Sequence, residues 1–337
     1  MKKSYNNILV IQTAFLGDAI LATPLLKGLK ELFPEADIDV LCLPQTEPIF
    51  RYNPNINKIL TFDKRKRFKK WINFFKVVFK IRDRDYELGI SIQSSMTSSF
   101  LMILGNIKVK HGFSRQKFLN MSVDHSKLKG DHKIDKILHL LIPFSSKEYD
   151  RQTEIFYSNK DSELIERIMG EVQTKKQYSI AVAPGSVWPT KKWPAENYMK
   201  LAYLLTSRGC QVFLIGSAED HTLCNEIKAN SSAINMAGKL SILQSAALIE
   251  KCNLIVTNDS APLHMANAVK TDVIAIFGPT APILGFYPYR ENDVVIESDL
   301  KCRPCSTHGS NCCPLGHFRC MHDISVDYVW KVVKDRI

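Results

Sequence analysis

The sequence predicts an α/β fold of two Rossmann-like, doubly wound domains facing a central cleft. Three observations predict it. Short apolar runs alternate with amphipathic segments, the mark of parallel βαβ units. The alternation stops in a polar stretch over 145–176, rich in Ser, Lys, Asp and Glu, and restarts at Tyr178. A chain of 337 residues holds two domains of ordinary size.

In the first half, strands are expected at 8–12, 38–43, 58–62, 88–92 and 109–113. Helices are expected over 18–32, where Phe33-Pro34 ends the segment, and over 68–82, 96–104 and 131–142. In the second half, strands are expected at 178–183, 211–216, 234–236, 254–257 and 273–277. Helices over 195–208, 219–229 and 241–250 and one opening near Ser260 alternate with them. A last helix, over 325–335, has no place that its pattern alone decides.

Hydrophobic residues make up 45% of the chain and charged residues 23%, which places it among soluble globular proteins. No run of 18 apolar residues exists, so no transmembrane helix is expected. Met1-Lys2-Lys3 and the apolar residues after it have the outline of a signal peptide. Asp18 ends that run with no clean cleavage site, so a buried strand and turn is the better reading and a cytoplasmic location the expectation.

The net charge of +11 is concentrated: residues 64–84 hold ten Lys/Arg and one Asp. Such a local excess argues for contact with something anionic. The same segment carries a helical apolar stripe of Phe68, Trp71, Ile72, Phe75, Val78 and Phe79. Packing of that stripe on the domain core is favoured over an apolar face laid on a membrane. In either case Lys66, Arg67, Lys69 and Lys70 are the candidates for an anionic acceptor or membrane surface. Nucleic acid is not expected as a partner, because the aromatic residues follow a helix stripe and the rest of the chain is near neutral.

Four loops at expected strand ends carry the candidate chemistry, since ligands of open α/β sheets bind beyond the carboxyl ends of strands. In the first, Thr13 to Asp18, Gly17 permits a tight turn. Asp18 is open to two readings, a helix N-cap or a general base that takes a proton from an acceptor hydroxyl. In the second, Pro184 to Pro194, Gly185 and Ser186 suit backbone approach to phosphate, and Lys191 is either a phosphate contact or a solvated cation. It is not a Walker A loop. The third, Thr257 to His264, opens a helix whose amides suit an anion; Asp259, Ser260, Ala261 and His264 are its candidates. In the fourth, Phe277 to Pro282, Gly278 and Thr280 border either a diphosphate or a plain turn.

At these loops the sequence resembles a known family. LGD in the first loop, PGS followed by KKWP, TNDSAPLH and IFGPTAP are similar to motifs of the ADP-heptose:lipopolysaccharide heptosyltransferases of glycosyltransferase family 9. The segments CRPC and CPLGHFRCMHDI look most like the branch that adds the second heptose. The resemblance implies a GT-B architecture: an acceptor-binding domain over 1–165, a nucleotide-sugar-binding domain over 175–322, and a last helix over 323–337 that packs back on the first domain. It implies an inverting, metal-independent transfer of heptose from ADP-L-glycero-β-D-manno-heptose to the lipopolysaccharide inner core, at the inner face of the inner membrane. Asp18 matches the base, Ser186 and Lys191 the donor-phosphate contacts, and Asp259, Ser260, Ala261 and His264 the donor-binding loop. Ala261 departs from the Gly of many members. No cofactor is expected. Two other enzymatic readings stay open: a nucleotide-sugar epimerase of the same architecture, and a family 9 transferase of another sugar.

Nine cysteines are unevenly placed. Cys42, Cys210, Cys224 and Cys252 read as buried small hydrophobes. Cys302, Cys305, Cys312, Cys313 and Cys320 crowd together, but their spacing is not that of a standard two-pair zinc site; reduced structural thiols are expected and no metal is assigned.

Overall fold

The computed structural model describes residues 4–63, 70–124, 132–172 and 177–337. Contacts divide the chain after Phe156 into two units. Each unit is built on a six-stranded, all-parallel sheet with helices alternating between strands.

In the first unit the strands are β1 (Asn7–Gln12), β2 (Asp37–Cys42), β3 (Lys58–Thr61), β4 (Leu88–Ser91), β5 (Val109–Phe113) and β6 (Met121–Val123), in the order β3-β2-β1-β4-β5-β6. Its helices are α1 (Leu16–Leu21), α2 (Thr23–Leu32), α3 (Glu47–Phe50), α4 (Lys70–Asp83), α5 (Met96–Leu104) and α6 (Lys133–Leu138). In β1, the residues from Ile8 to Gln12 are all buried, which is why this strand reads as an unbroken apolar run rather than an alternation. The segment expected as one helix over 18–32 is two, α1 and α2, because the chain turns at Ala22 and Pro24 starts afresh in the first turn of α2.

The second unit repeats the topology. Helix α7 (Asn159–Val172) leads into β7 (Ser179–Ala183), α8 (Ala195–Ser207), β8 (Gln211–Leu214), α9 (His221–Lys228), β9 (Ile234–Asn235) and α10 (Ile242–Glu250). Strand β10 (Leu254–Asn258), α11 (Ala261–Ala268), β11 (Asp272–Phe277), β12 (Val294–Glu297), α12 (Arg319–His322) and α13 (Val326–Lys334) complete it. The order is β12-β11-β10-β7-β8-β9, again parallel throughout. Read from its first strand, each sheet follows the Rossmann order 3-2-1-4-5-6.

Three expectations need correction. The polar stretch over 145–176 is not all linker: it contains α7, which buries Ile165 and Met169, four residues apart, and packs on α10. The last helix was expected on the first domain; it packs on α8, and its Val329 and Val333 lie in the core of the second unit. The stripe on α4 does not face the core. Trp71, Ile72, Phe75 and Phe79 are 71%, 55%, 47% and 64% exposed. Of the stripe's described residues only Val78 is buried, together with Phe74, Val77 and Ile81, a second set at helical spacing that forms the inner face. Phe68 lies outside the described residues, as do Lys66, Arg67 and Lys69; Lys70 is the first residue of α4.

Among the described residues no helix is long and apolar enough to cross a membrane.

Candidate active site

The strand order reverses between β1 and β4 in one sheet and between β7 and β10 in the other, and ligands of such sheets bind at that switch point. Within each unit the candidate residues are sought on the loops leaving these strands, and in the second unit on the loop after β11 as well.

In the first unit the loop after β1 is tied to the end of β4 by two glutamines. Gln12 Nε2 donates to the Asp18 carbonyl at 2.7 Å, and its Oε1 accepts from Ala14 N at 3.0 Å and from Gln93 Nε2. Thr13 N donates to Gln93 Oε1 at 3.0 Å. Asp18 is not the N-cap. That place belongs to Phe15, whose side chain has no capping oxygen, and Asp18 is the third residue of α1. The carboxylate sits in the first turn, where the helix dipole favours negative charge, and it is partly exposed. Lys133, at the start of α6, senses it: burial pushes the Lys133 ammonium pKa down and the Asp18 charge opposes that shift. No sequence pattern links Lys133 to Asp18.

In the second unit the central feature is a buried cation–carboxylate pair. Lys191 Nζ lies 2.6 Å from Asp259 Oδ2, with side chains 13% and 6% exposed. The same oxygen accepts the Thr280 hydroxyl at 2.6 Å, so three of the four loops' candidates meet on one carboxylate. Asp259 is thus a holder of Lys191 rather than a helix cap. Ser260 is the N-cap residue of α11 by position, yet its side chain makes no capping bond, and its buried hydroxyl has no hydrogen-bond partner. A buried, unpaired hydroxyl at a helix start beside an ammonium group is a site for an acceptor-rich anion.

The other candidates are placed as follows. Ala261 opens α11. His264 is 6% exposed, edge-on to Phe286 with ring centroids 6.4 Å apart. The Ser186 hydroxyl accepts from Trp188 N at 3.3 Å. Gly185 lies against the Asp220 carboxylate, which a Cβ at this position would strike. Asp220 in turn is held by Ser217 N and Oγ at 2.9 and 2.8 Å. Gly278 likewise makes room for Met321.

Two residues that sequence reasoning passed over hold these loops. Asn258, fully buried at the end of β10, donates to the Pro184 carbonyl at 2.8 Å and accepts from Trp193 N at 3.1 Å and Tyr198 Oη at 3.0 Å. It stitches the 184–194 loop to the 258–260 loop. Asn258→Ala strands three buried partners, and a buried group left unpaired costs about 1–3 kcal/mol. The variant is expected to lose at least about 3 kcal/mol in urea unfolding, given partial relaxation; a loss under about 1 kcal/mol, the net worth of one ordinary hydrogen bond, would show that the stitch is dispensable. Arg303 is the second. Its guanidinium donates to the carbonyls of Gly278, Phe277 and Thr280 and pairs with Glu297 at 2.8 Å. It fixes the fourth loop with donors that a lysine does not possess.

Arg303 belongs to the cysteine-rich segment, which braces the second and fourth loops. Cys305 N donates to Pro279 O at 3.0 Å, and Thr190 and Ser310 exchange backbone and hydroxyl bonds of 2.8 to 3.2 Å. All nine cysteines are free thiols, and among the described residues no three His, Cys, Asp or Glu side chains form a group that holds a metal ion. Cys42, Cys210, Cys224 and Cys252 are buried as expected. Burial pushes the thiols of Cys42, Cys224 and Cys252 up to about 12 and that of Cys320 up to about 11. Cys313 moves the other way, because the backbone N–H groups of Phe318, Leu315, Gly316 and His317 surround its sulfur and stabilise the thiolate. Iodoacetamide is therefore expected to label Cys313 ahead of the other cysteines, with a pH midpoint below that of N-acetylcysteine, while Cys42, Cys224 and Cys252 stay unlabelled until unfolding. Peptide mass spectrometry reads both; a Cys313 midpoint at or above that of N-acetylcysteine would exclude the amide nest.

The geometry can now be set beside known proteins. The model of glycosyltransferase family 9 (heptosyltransferase) matches residues 74–314. A lipooligosaccharide heptosyltransferase 2 of Campylobacter jejuni serotype O:2 is 28% identical over 330 residues, covering 95% of this chain and 95% of that protein. A lipopolysaccharide heptosyltransferase 3 of Escherichia coli is 29% identical over 290 residues, covering 82% and 85%. The solved structure of the E. coli ADP-heptose lipopolysaccharide heptosyltransferase II superposes with a TM-score of 0.78 at 22% identity, covering 98% of each chain, and shares the GT-B fold. Two doubly wound sheets with the candidate loops at their strand ends, and a family match over most of the chain, lead to one conclusion: this chain belongs to glycosyltransferase family 9.

Proposed function

We propose that this chain moves a heptose from ADP-L-glycero-β-D-manno-heptose to the lipopolysaccharide inner core, as the second heptose, with inversion at the sugar. The observation that carries the reading is the Lys191–Asp259–Thr280 cluster beside the unpaired Ser260 hydroxyl. A nucleoside diphosphate gathers negative charge as it leaves, and a pre-placed ammonium with amides and hydroxyls at a helix start stabilises that charge without rearrangement. Asp18 takes the proton of the acceptor hydroxyl. The acceptor oxygen bonds to the anomeric carbon as the bond to the diphosphate breaks, and ADP leaves with the electron pair. Gly185, Ser186, Ala261, His264 and Gly278 complete the donor site in this reading. The domain roles follow: acceptor on the first Rossmann-like domain, nucleotide sugar on the second.

In this reading the lipid-borne acceptor implies a cytoplasmic enzyme, peripheral on the inner face of the inner membrane, for which Lys66, Arg67, Lys69 and Lys70 supply charge opposite to that of the anionic acceptor or lipid surface. The homologues named for the second and the third heptose both resemble this chain, so the acceptor decides the assignment. Purified protein given ADP-heptose and truncated core acceptors carrying one or two heptoses is expected to release ADP only with the one-heptose acceptor. ADP release only with the two-heptose acceptor moves the reaction one step later. A rearranged nucleotide sugar formed without acceptor means an epimerase, and turnover with other nucleotide sugars only means another donor.

A further inference from the structure

We infer that the first unit docks on an anionic lipid bilayer through the outer face of α4 and the neighbouring face of α5. The inference deepens the peripheral location proposed above and rests on it for the choice of surface, not for the identity of the sugar. Helix α4 is apolar on two sides. Phe74, Val77, Val78 and Ile81 point into the core, and Trp71, Ile72, Phe75 and Phe79 form a separate row that is about half or more exposed. A helix packed on a domain needs one apolar face; among the described residues no element of the unit covers the second. Helix α5 packs against α4 and adds Phe100, Ile103 and Leu104, which are 45%, 38% and 41% exposed, and Phe118 stands beside Phe100 at 6.3 Å between ring centroids. Seven or more large apolar side chains on two packed helices exceed the scattered exposure of an ordinary monomer surface.

The charges choose lipid over a second copy of the chain. Lys76, Lys80 and Arg82 are exposed on α4, and the seven residues ending at Lys70 hold six Lys/Arg. A two-fold dimer across this face would bring both cationic rows together. A bilayer with anionic headgroups satisfies both properties at once: acyl chains take the aromatic row, and headgroups meet the lysines. Trp71, the most exposed large residue of the row, has the amphipathic ring that membrane interfaces favour.

The test uses the full-length protein and vesicles of phosphatidylethanolamine with phosphatidylglycerol. Wild type is expected to cosediment with them, and Trp71→Ser/Phe75→Ser/Phe79→Ser to bind about tenfold or more weakly, since each residue lost removes apolar area from the bilayer. These side chains are solvent-facing, so circular dichroism and unfolding midpoints should match wild type. Brominated lipids should quench the tryptophan emission of wild type; Trp71→Phe should still bind but lose that quenching. Transfer to a delipidated, soluble acceptor should be equal in wild type and the triple variant. Absence of transfer in both would sink the proposed function and leave the vesicle result standing. Equal vesicle binding by wild type and the triple variant overturns the inference. So does a wild-type dimer, seen by light scattering, that the triple variant loses while neither binds vesicles.

Discussion

Asp18→Asn is expected to lower kcat by about 10²–10⁴, the range that a positioned general base contributes, while leaving nucleotide-sugar affinity within about twofold. The substitution keeps the shape of the side chain and removes its charge. The glutamine contacts that hold the loop use the Asp18 carbonyl and the backbone of Thr13 and Ala14, and the substitution leaves them in place, so the local structure should persist. The stability cost should stay near about 0.3–1 kcal/mol, the worth of one anion in a helix first turn. A second readout separates lost chemistry from a collapsed loop. The Asp18 charge raises the pKa of Lys133 against the lowering effect of burial. With the charge gone only the lowering causes remain, burial and the Lys136 charge, so the Lys133 ammonium should titrate at lower pH in the variant than in wild type. Lysine side-chain NMR reads that shift. Turnover retained within tenfold of wild type would reject Asp18 as the base; an unmoved Lys133 titration would mean that the two side chains do not face each other.

Much of the fold was legible because the strands of a parallel sheet are buried on both faces. Ile8 to Gln12, Ser179 to Ala183 and Leu254 to Asn258 are unbroken runs of buried positions, and such runs announce themselves. The short strands β6 and β12, at the sheet edges, went unseen because each has only three or four residues and partial burial. Helix α7 was hidden by composition: its two core residues, Ile165 and Met169, are outnumbered by charge. The α4 stripe was visible as a period, but a period does not say which of two apolar rows is inside. The candidate loops were found because topology puts them at strand ends. What no local pattern could supply was their wiring. Lys191 and Asp259 are 68 positions apart, and Asn258 reaches Pro184 across 74. Position alone makes Asp18 and Asp259 look like caps; the structure gives the first cap to Phe15 and spends the second carboxylate on Lys191 and Thr280.

That wiring makes Lys191 the residue whose loss should be felt twice. Lys191→Met leaves Asp259, 6% exposed, with only the Thr280 hydroxyl on its carboxylate. Breaking a buried ion pair from one side costs about 3–5 kcal/mol, because a charge stays behind uncompensated. The single variant should therefore unfold at markedly lower urea and transfer poorly, and the two losses cannot be told apart in it. Lys191→Met/Asp259→Leu separates them. Replacing both members of a buried pair with apolar groups is often neutral for stability, less about 1 kcal/mol here for the Thr280 hydroxyl that loses its acceptor. If the ammonium serves the departing diphosphate, the double variant should recover most of its unfolding free energy and still show kcat/KM reduced by about 10²–10³, the cost of removing one charge-stabilising donor. If transfer returns along with stability, Lys191 exists to neutralise Asp259 and the diphosphate must be held elsewhere, with the Ser260 hydroxyl and the start of α11 the remaining groups to carry it.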